Sequence, residues 1–169
     1  MGEGGRRPGE GRDHLTRERR SWNMSRIRGK HTTPERIVRS LLHRLGYRFR
    51  LHVRIPVPMV GTVRRAVRTP QRGIPTRFVC PDILLPKHKT AIFVHGCFWH
   101  RHRGCKNCTT PTHRREWWLK KLEGNAARDK LHQRALRKLG WRPIVIWECQ
   151  TEKPKTLARL SRKLSKLTG

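Results

Sequence analysis

The stretch PDILLPKHKTAIFVHGCFWHRHRGC, residues 81–105, decides the fold. Two short apolar runs, residues 82–85 and 90–95, stand on either side of Pro86-Lys87-His88-Lys89. Apolar runs of strand length about a proline-bearing turn predict a hairpin. Past His95 the composition changes at once, and Cys97, His100, His102 and Cys105 follow within one short loop. Chemistry-bearing side chains therefore collect at the end of the second strand.

Working outward, Thr32 or Thr33 can cap a helix whose first turn holds Pro34 and whose apolar face is Ile37, Val38, Leu41, Leu42 and Leu45. Gly46 ends it. Tyr47, Phe49, Leu51 and Val53 then alternate with Arg48, Arg50 and His52, the period of a half-buried strand. Residues 56–78 carry four prolines and many arginines with little periodicity, and read as an insertion loop. On the other side, Trp117, Trp118, Leu122, Ala126, Ala135, Leu136 and Leu139 predict a helix ending at Gly140. A strand over residues 141–147 follows, then a Lys-rich helix with Leu157, Leu160, Leu164 and Leu167 on one side. Strands bracketed by helices give an α/β domain with a mixed β-sheet flanked by helices. Residues 1–20, nearly devoid of apolar side chains, read as a disordered basic arm. Residues 21–151 form the domain, and 152–169 the C-terminal basic helix.

The 169 residues carry 41 Lys and Arg against 11 Asp and Glu, a formal net charge of +30. A field of one sign collects polyanions, so nucleic acid is the expected partner. Adhesion to acidic membranes and a ribosomal type of protein held by charge alone are the bland alternatives. No apolar run approaches the roughly 20 residues of a membrane helix, and the first residues lack the apolar core of a signal peptide. The expected setting is the cytoplasm, on the nucleoid, with no membrane. Of five cysteines, Cys97, Cys105, Cys108 and Cys149 lie near histidines, so metal fits better than disulfides in a reducing compartment. Cys80 reads as a small buried hydrophobe.

Carboxylates are scarce, and Glu3, Glu10, Asp13 and Glu18 fall in the arm. Asp82 begins a hairpin strand whose partner runs into His95, so carboxylate and imidazole can project from neighbouring strand ends. Phosphodiester hydrolysis uses a hard cation held by carboxylates, because charge on the phosphate and the leaving oxygen must be neutralised. The competing reading of Asp82 is a strand-start residue bonding a turn. Glu35 and Asp129 taken alone read as helix-surface charges, and the histidines, His102, His113 and His132 included, as phosphate contacts.

The run FVHGCFWHRHRGC, residues 93–105, resembles the signature of the very-short-patch repair endonucleases. The resemblance extends from Asn23-Met24 to Cys149. It takes in T-P-E-R at residues 33–36, Pro81-Asp82, E-W-W at 116–118, G-N-A-A-R-D at 124–129 and the G-W-R…W-E-C that ends at Cys149. It implies a restriction-endonuclease-like fold and a DNA mismatch endonuclease that nicks one strand 5′ to the T of a T:G mismatch. Carried over by position, it implies that Asp82 and the Val94 carbonyl hold a catalytic Mg²⁺. His100 acts on the attacking water with Asp129 orienting it, His95 assists near the phosphate, and Glu35 completes the site. Each role is chemically apt, since a histidine titrates near neutrality and a carboxylate on its second nitrogen fixes the tautomer.

Cys97, His102, Cys105 and Cys149 look like a structural Zn²⁺ site, four ligands closing a tetrahedron. Cys108 makes a C-x-x-C with Cys105 and could substitute, though the family pattern favours Cys105; free thiols are the bland alternative. Phe98 and Trp99 lie between His95 and His100, so an aromatic wedge is locked in sequence to the histidines. Inserting such a wedge costs a few kcal/mol of unstacking, less where a wobble pair already weakens the stack. The resemblance adds Met24 from the other groove and Trp118 beside the opened stack. Taken alone, Trp117, Trp118, Trp141 and Trp147 read as core residues.

Two features depart from the family pattern: the insertion after Pro56, whose arginines suggest a DNA contact, and the basic head, which adds affinity without specificity. The implied partners are T:G-mismatched double-stranded DNA, mismatch-repair factors and a cytosine-5 methyltransferase, with the protein itself a monomer. Two rivals stand beside this reading. One is a homing-type or mobile-element nuclease of the same fold, and the other a non-catalytic zinc-stabilised DNA-binding protein.

Overall fold

The hairpin forms as its sequence dictates. In the computed structural model, which describes residues 16–26, 29–57, 78–112 and 114–168, strand β4 (Ile83–Leu85) pairs antiparallel with β5 (Thr90–His95), Leu85 facing Thr90. The chain reverses through a 3-10 turn at Pro86–His88, and Lys89 takes the left-handed conformation that closes it. Before the hairpin come α1 (Arg17–Ser25), α2 (Thr33–Arg44), β1 (Arg50–Leu51), β2 (Ile55–Pro56) and β3 (Phe78–Val79). After it come α3 (Arg115–Lys138), β6 (Arg142–Trp147), α4 (Cys149–Glu152) and α5 (Pro154–Ser165).

One four-stranded sheet has the order β1-β4-β5-β6, and β2 pairs with β3 in a separate ribbon. The step from β5 to β6 is parallel, and α3 makes the crossover that a parallel pair requires. The result is a mixed sheet flanked by helices. The strand period of two divides the core between its faces. Ile83, Leu85, Ile92 and Ile146 point toward Val38, Leu41 and Leu42 of α2 and toward Leu160 and Leu164 of α5. Leu84, Ala91, Phe93 and Val145 point the other way, toward Leu136 of α3 and Ile55 and Val79 of the ribbon. Leu42, Ile83, Ile92 and Leu164 are fully buried, and each such side chain stabilises the fold by about 1.5–3 kcal/mol. The Tyr47 hydroxyl donates to the Leu164 carbonyl at 2.8 Å, which fastens α5 to the chain leaving α2.

Several expectations change. The arm drawn through residue 20 gives way to helix α1 at Arg17; residues 1–15 lie outside the described residues. The strand expected over residues 47–53 shrinks to Arg50–Leu51, because His52 adopts a left-handed φ of 49° and breaks the alternation, leaving Leu51 exposed. The ends of the stretch drawn at 56–78 belong to the β2–β3 ribbon, Pro56 opposite Phe78, while residues 58–77 lie outside the described residues. Cys80 is exposed rather than buried, since Val79 and Pro81 on either side turn inward. Cys149 opens α4 instead of closing β6.

Candidate functional site

A cleft of about 1150 Å³ lies where β5 ends. Its walls include Thr32 and Glu35 at the start of α2, Asp82 just before β4, Val94 and His95 at the end of β5, Phe98, Trp99 and His100 in the following loop, Lys121, Asn125 and Asp129 along α3, and Glu148 after β6. Met24 of α1 reaches the rim and is 43% exposed. All five expected catalytic positions therefore meet in one cavity.

Asp82 precedes β4, and the antiparallel register carries it beside the last residues of β5. Its Oδ2 accepts the Val94 amide at 2.7 Å. Burial, joined by the negative charge of Glu35, pushes its carboxyl from 3.8 up to about 6 despite that bond. The sequence reading linked Val94 to Asp82 through a shared cation at its carbonyl; the contact between them here runs through the Val94 N–H.

His95 and His100 stack face to face, ring centroids 3.8 Å apart and 11° from parallel. Burial, and then the charge of His100, lowers His95 to about 4, so this ring is neutral at pH 7. His100 Nδ1 meets Asp129 Oδ2 at 2.5 Å. Burial works to raise Asp129, but the bond from His100 and the His100, His95 and Arg128 charges together hold it below its ordinary value. An ionised carboxylate only accepts, so Nδ1 carries the proton and Nε2 is left as the basic nitrogen. His95, His100 and Asp129 also offer atoms within 4.8 Å of one another, a set that could hold a metal. Two of the three already bond each other, through His100 Nδ1 and Asp129 Oδ2.

Glu35 is 3% exposed, so its reading as a surface charge is overturned. It completes a capping box with Thr32 at the start of α2. Its Oε1 accepts the Thr32 hydroxyl at 2.9 Å, and Oε2 accepts the His31 amide at 3.0 Å and Arg39 Nη2 at 2.6 Å. His52 stands 4.0 Å away, which the kink at that residue makes possible. Asp129, half-buried and bonded to His100, is no surface charge either.

Beyond Gly96 the chain winds into a second cluster. One ligand atom each from Cys97, His102, Cys105 and Cys149 lies within 4.8 Å of the others. His102 Nδ1 is 3.5 Å from both Cys97 Sγ and Cys149 Sγ. Cys108 is not among the four, although its amide bonds the Cys105 carbonyl at 2.9 Å. Burial, with the neighbouring Cys149 and Cys105 thiols, pushes Cys97 up to about 12. Packing three thiols around an imidazole is unfavourable for every thiolate unless a soft cation sits among them, so these residues fit a metal ion.

The aromatic loop packs on α3. Phe98 meets Trp99 and Trp118 edge-on at 5.1 and 5.4 Å. Lys121 lies over Trp117 at 4.8 Å, and Asn125 Nδ2 donates to the Trp99 carbonyl at 3.2 Å. Trp117 is 44% exposed, so it is not the core residue its spacing suggests, whereas Trp141 packs into the α3-side core. His113 lies outside the described residues.

Three contributors were missed from sequence. Arg39 and His52 gave no signal, because a basic residue is unremarkable in so basic a chain. Glu148 had one: few acidic residues remain outside the arm. Its side chain accepts the Cys97 amide at 3.2 Å and its own amide bonds the His95 carbonyl at 2.9 Å, clamping the turn at Gly96.

The model of the family described as DNA mismatch endonuclease Vsr matches residues 12–56 and 68–107. Residues 57–67, between the two matched spans, fall within the 56–78 stretch read from composition as an insertion. The type II nicking enzyme V.XorIIP of Xanthomonas oryzae pv. oryzae is 44% identical over 138 residues, 82% of this chain and 85% of that relative. V.NmeAIP of Neisseria meningitidis serogroup A, also a type II nicking enzyme, is 35% identical over 82% of this chain and 83% of its own length. DNA mismatch endonuclease Vsr of Escherichia coli K12 is 34% identical over 77% of this chain and 69% of its own length. A family match across half the sequence, with relatives of this identity aligned over most of their length, places the chain in the DNA mismatch endonuclease Vsr family.

Proposed function

We propose that this DNA endonuclease nicks one strand 5′ to the T of a T:G mismatch by Mg²⁺-dependent hydrolysis, on a restriction-endonuclease-like fold stapled by Zn²⁺. The observation that carries the reading is the His100–Asp129 pair standing in one cleft with Asp82 and flanked by the Phe98/Trp99 loop.

Asp82 fits a hard cation: its carboxyl is raised by burial and by the charge of Glu35, a penalty that a bound cation relieves. Asp82 and the Val94 carbonyl would hold Mg²⁺, which supplies charge neutralisation at the scissile phosphate and the leaving oxygen. Glu35, whose oxygens are engaged by Thr32, His31 and Arg39, contributes negative potential instead of a direct bond. His100, held in one tautomer by Asp129, takes the proton of the attacking water at Nε2. His95, neutral at pH 7, buttresses the His100 ring and offers a hydrogen bond to the phosphate. Cys97, His102, Cys105 and Cys149 would hold the structural Zn²⁺ and so fix the loop that bears His100.

Mismatch choice falls to Phe98 and Trp99, with Trp118 behind them and Met24 approaching from the rim. Unstacking a T:G wobble costs less than unstacking a matched pair, and that difference is the selector. T:G pairs arise when 5-methylcytosine deaminates. The partner classes are therefore T:G-mismatched double-stranded DNA, a cytosine-5 methyltransferase and mismatch-repair factors, met by a monomer in the cytoplasm. No helix among the described residues is long and apolar enough to cross a membrane.

The test is cleavage of T:G and T:A duplexes with and without Mg²⁺. Strand-specific, Mg²⁺-dependent nicking of the T:G duplex is expected. Cleavage of both duplexes alike favours a nuclease reading a long site, and binding without cleavage a non-catalytic protein.

A further inference from the structure

Four aromatic rings form a continuous column between the two clusters. His100 stacks on His95 at 3.8 Å, and His95 meets the Trp147 ring edge-on at 5.4 Å and 75°. Trp147 then stacks on His102 at 4.1 Å, within 3° of parallel. Both ends are anchored: His100 Nδ1 bonds Asp129 at 2.5 Å, and His102 Nδ1 lies 3.5 Å from the sulfurs of Cys97 and Cys149. The middle is anchored as well. His95 and Trp147 are register partners on the parallel strands β5 and β6, and the Trp147 amide donates to Gln150 Oε1 at 2.8 Å.

We propose that Trp147 is a positioning residue that couples the Cys/His metal cluster to the His95–His100 pair, so that the ring of a metal ligand sets the alignment of the hydrolytic histidines. The inference rests on the proposed reading of the histidine pair and on a metal-loaded cluster. Its physical basis is close packing. His95 is buried, and its ring is held by His100 on one face and by Trp147 near its edge. Trp147 cannot tilt without breaking its parallel contact with His102, whose own ring is fixed once Nδ1 ligates. Rigid ring contacts of this kind transmit small displacements that a flexible aliphatic side chain absorbs. A half-buried indole at a strand end would read as core filling; its contact with a metal-cluster residue on one side and a hydrolytic residue on the other gives it the second role.

The experiment compares Trp147→Leu and Trp147→Phe with wild type, all reconstituted with Zn²⁺ and checked for metal content. Trp147→Leu is expected to keep one Zn²⁺ per chain and to bind a T:G duplex within about twofold of wild type. Its kcat should fall about 10- to 100-fold, the loss typical of an outer-shell partner. Its ring ¹H–¹⁵N signals of His95 and His100 should shift or broaden while those of His88, on the hairpin turn, stay put. Trp147→Phe, which retains a ring, should recover most of the rate. Wild-type kcat with unchanged ring signals in Trp147→Leu overturns the proposal, and so does loss of Zn²⁺ from that variant, which would make Trp147 a support of the cluster alone. Exchanging Zn²⁺ for Cd²⁺ in the wild-type protein tests the coupling without a substitution. The longer Cd–S bonds should move the His95 and His100 signals, and unmoved signals overturn it. These ring signals need no DNA, so a wild-type protein that fails to nick T:G duplexes sinks the proposed function and leaves this inference standing or falling by itself.

Discussion

Asp82→Asn should stabilise the protein at neutral pH while abolishing nicking. Burial and the charge of Glu35 carry the Asp82 carboxyl from 3.8 to about 6. A tenfold change in proton affinity corresponds to about 1.4 kcal/mol, so keeping this group ionised inside the fold at pH 7 costs up to about 3 kcal/mol in Mg²⁺-free solution. Asparagine removes that charge, and its carbonyl oxygen can still accept the Val94 amide that Oδ2 accepts at 2.7 Å. The sign follows from linkage. The folded protein holds the Asp82 proton more tightly than the unfolded chain does, so the penalty is fully present above pH 6. It fades as pH falls from 6 toward 3.8, because the native carboxyl becomes neutral there.

Urea unfolding of wild type and Asp82→Asn in Mg²⁺-free buffer, at pH 7 and near pH 4, reads this directly. The variant should be more stable by about 1–3 kcal/mol at pH 7, and the gap should narrow at the lower pH. Adding Mg²⁺ should stabilise wild type and leave the variant unmoved, since ligand binding favours only the form that holds it. A variant less stable than wild type at pH 7, or a gap that ignores pH, would refute the claim that Asp82 is a strained buried carboxylate.

Asp129→Asn should lower kcat by about 10²–10⁴ with little change in DNA affinity, because His100 loses the partner charge and an amide, which can donate as well as accept, no longer fixes its tautomer; single-turnover nicking on saturating T:G duplex measures it. Cys97→Ser or Cys149→Ser should release metal and lower the Tm, which elemental analysis and thermal unfolding check together; a metal-free wild-type protein that is folded and active would sink the cluster assignment. Replacing both Phe98 and Trp99 by Ala should erase most of the binding preference for T:G over T:A. The salt dependence of binding should hardly change, because neither side chain is charged; a preserved preference places mismatch recognition elsewhere.

What sequence made legible follows from what each signal measures. The helix with Leu41 and Leu42 carries periodic burial, and the hairpin strands and the strand ending at Trp147 carry short apolar runs; both signals are written in the residues themselves. Three members of the Cys/His cluster, Cys97, His102 and Cys105, were legible because they fall in one short loop; Cys149, distant in sequence, came with the family pattern. The extent of β1 was not, since alternation continues on paper through Val53 whereas the backbone turns at His52 to bring its ring toward Glu35. That turn depends on a partner far away in the chain, and no local pattern encodes it. The same holds for Glu35 itself. Read locally it is a helix-surface charge; in the fold it is the capping-box partner of Thr32, on a turn that faces Asp82, a placement only the family resemblance implies.

This double use of Glu35 carries an energetic consequence. A cap is ordinarily worth about 1 kcal/mol and sits in water. Here it is buried, and the carboxylate that closes the helix also raises Asp82. Arg39 pairs with that charge at 2.6 Å, yet Glu35 still raises Asp82, a load that a cation held by Asp82 would relieve. Helix α2 is thus oriented by two demands at once: its apolar face fixes its roll against Ile83 and Ile92, and its first turn must deliver a charge to the cleft. Replacing Glu35 by Gln keeps an oxygen to accept the Thr32 hydroxyl, but its amide nitrogen cannot accept from His31 and Arg39 as Oε2 does, so the cap and the cleft should both respond. Unfolding free energy should fall by about 1–3 kcal/mol as those buried donors lose their acceptor, and the Mg²⁺ concentration for half-maximal nicking should rise. A loss of stability with an unchanged Mg²⁺ requirement would mean that Glu35 serves the helix alone.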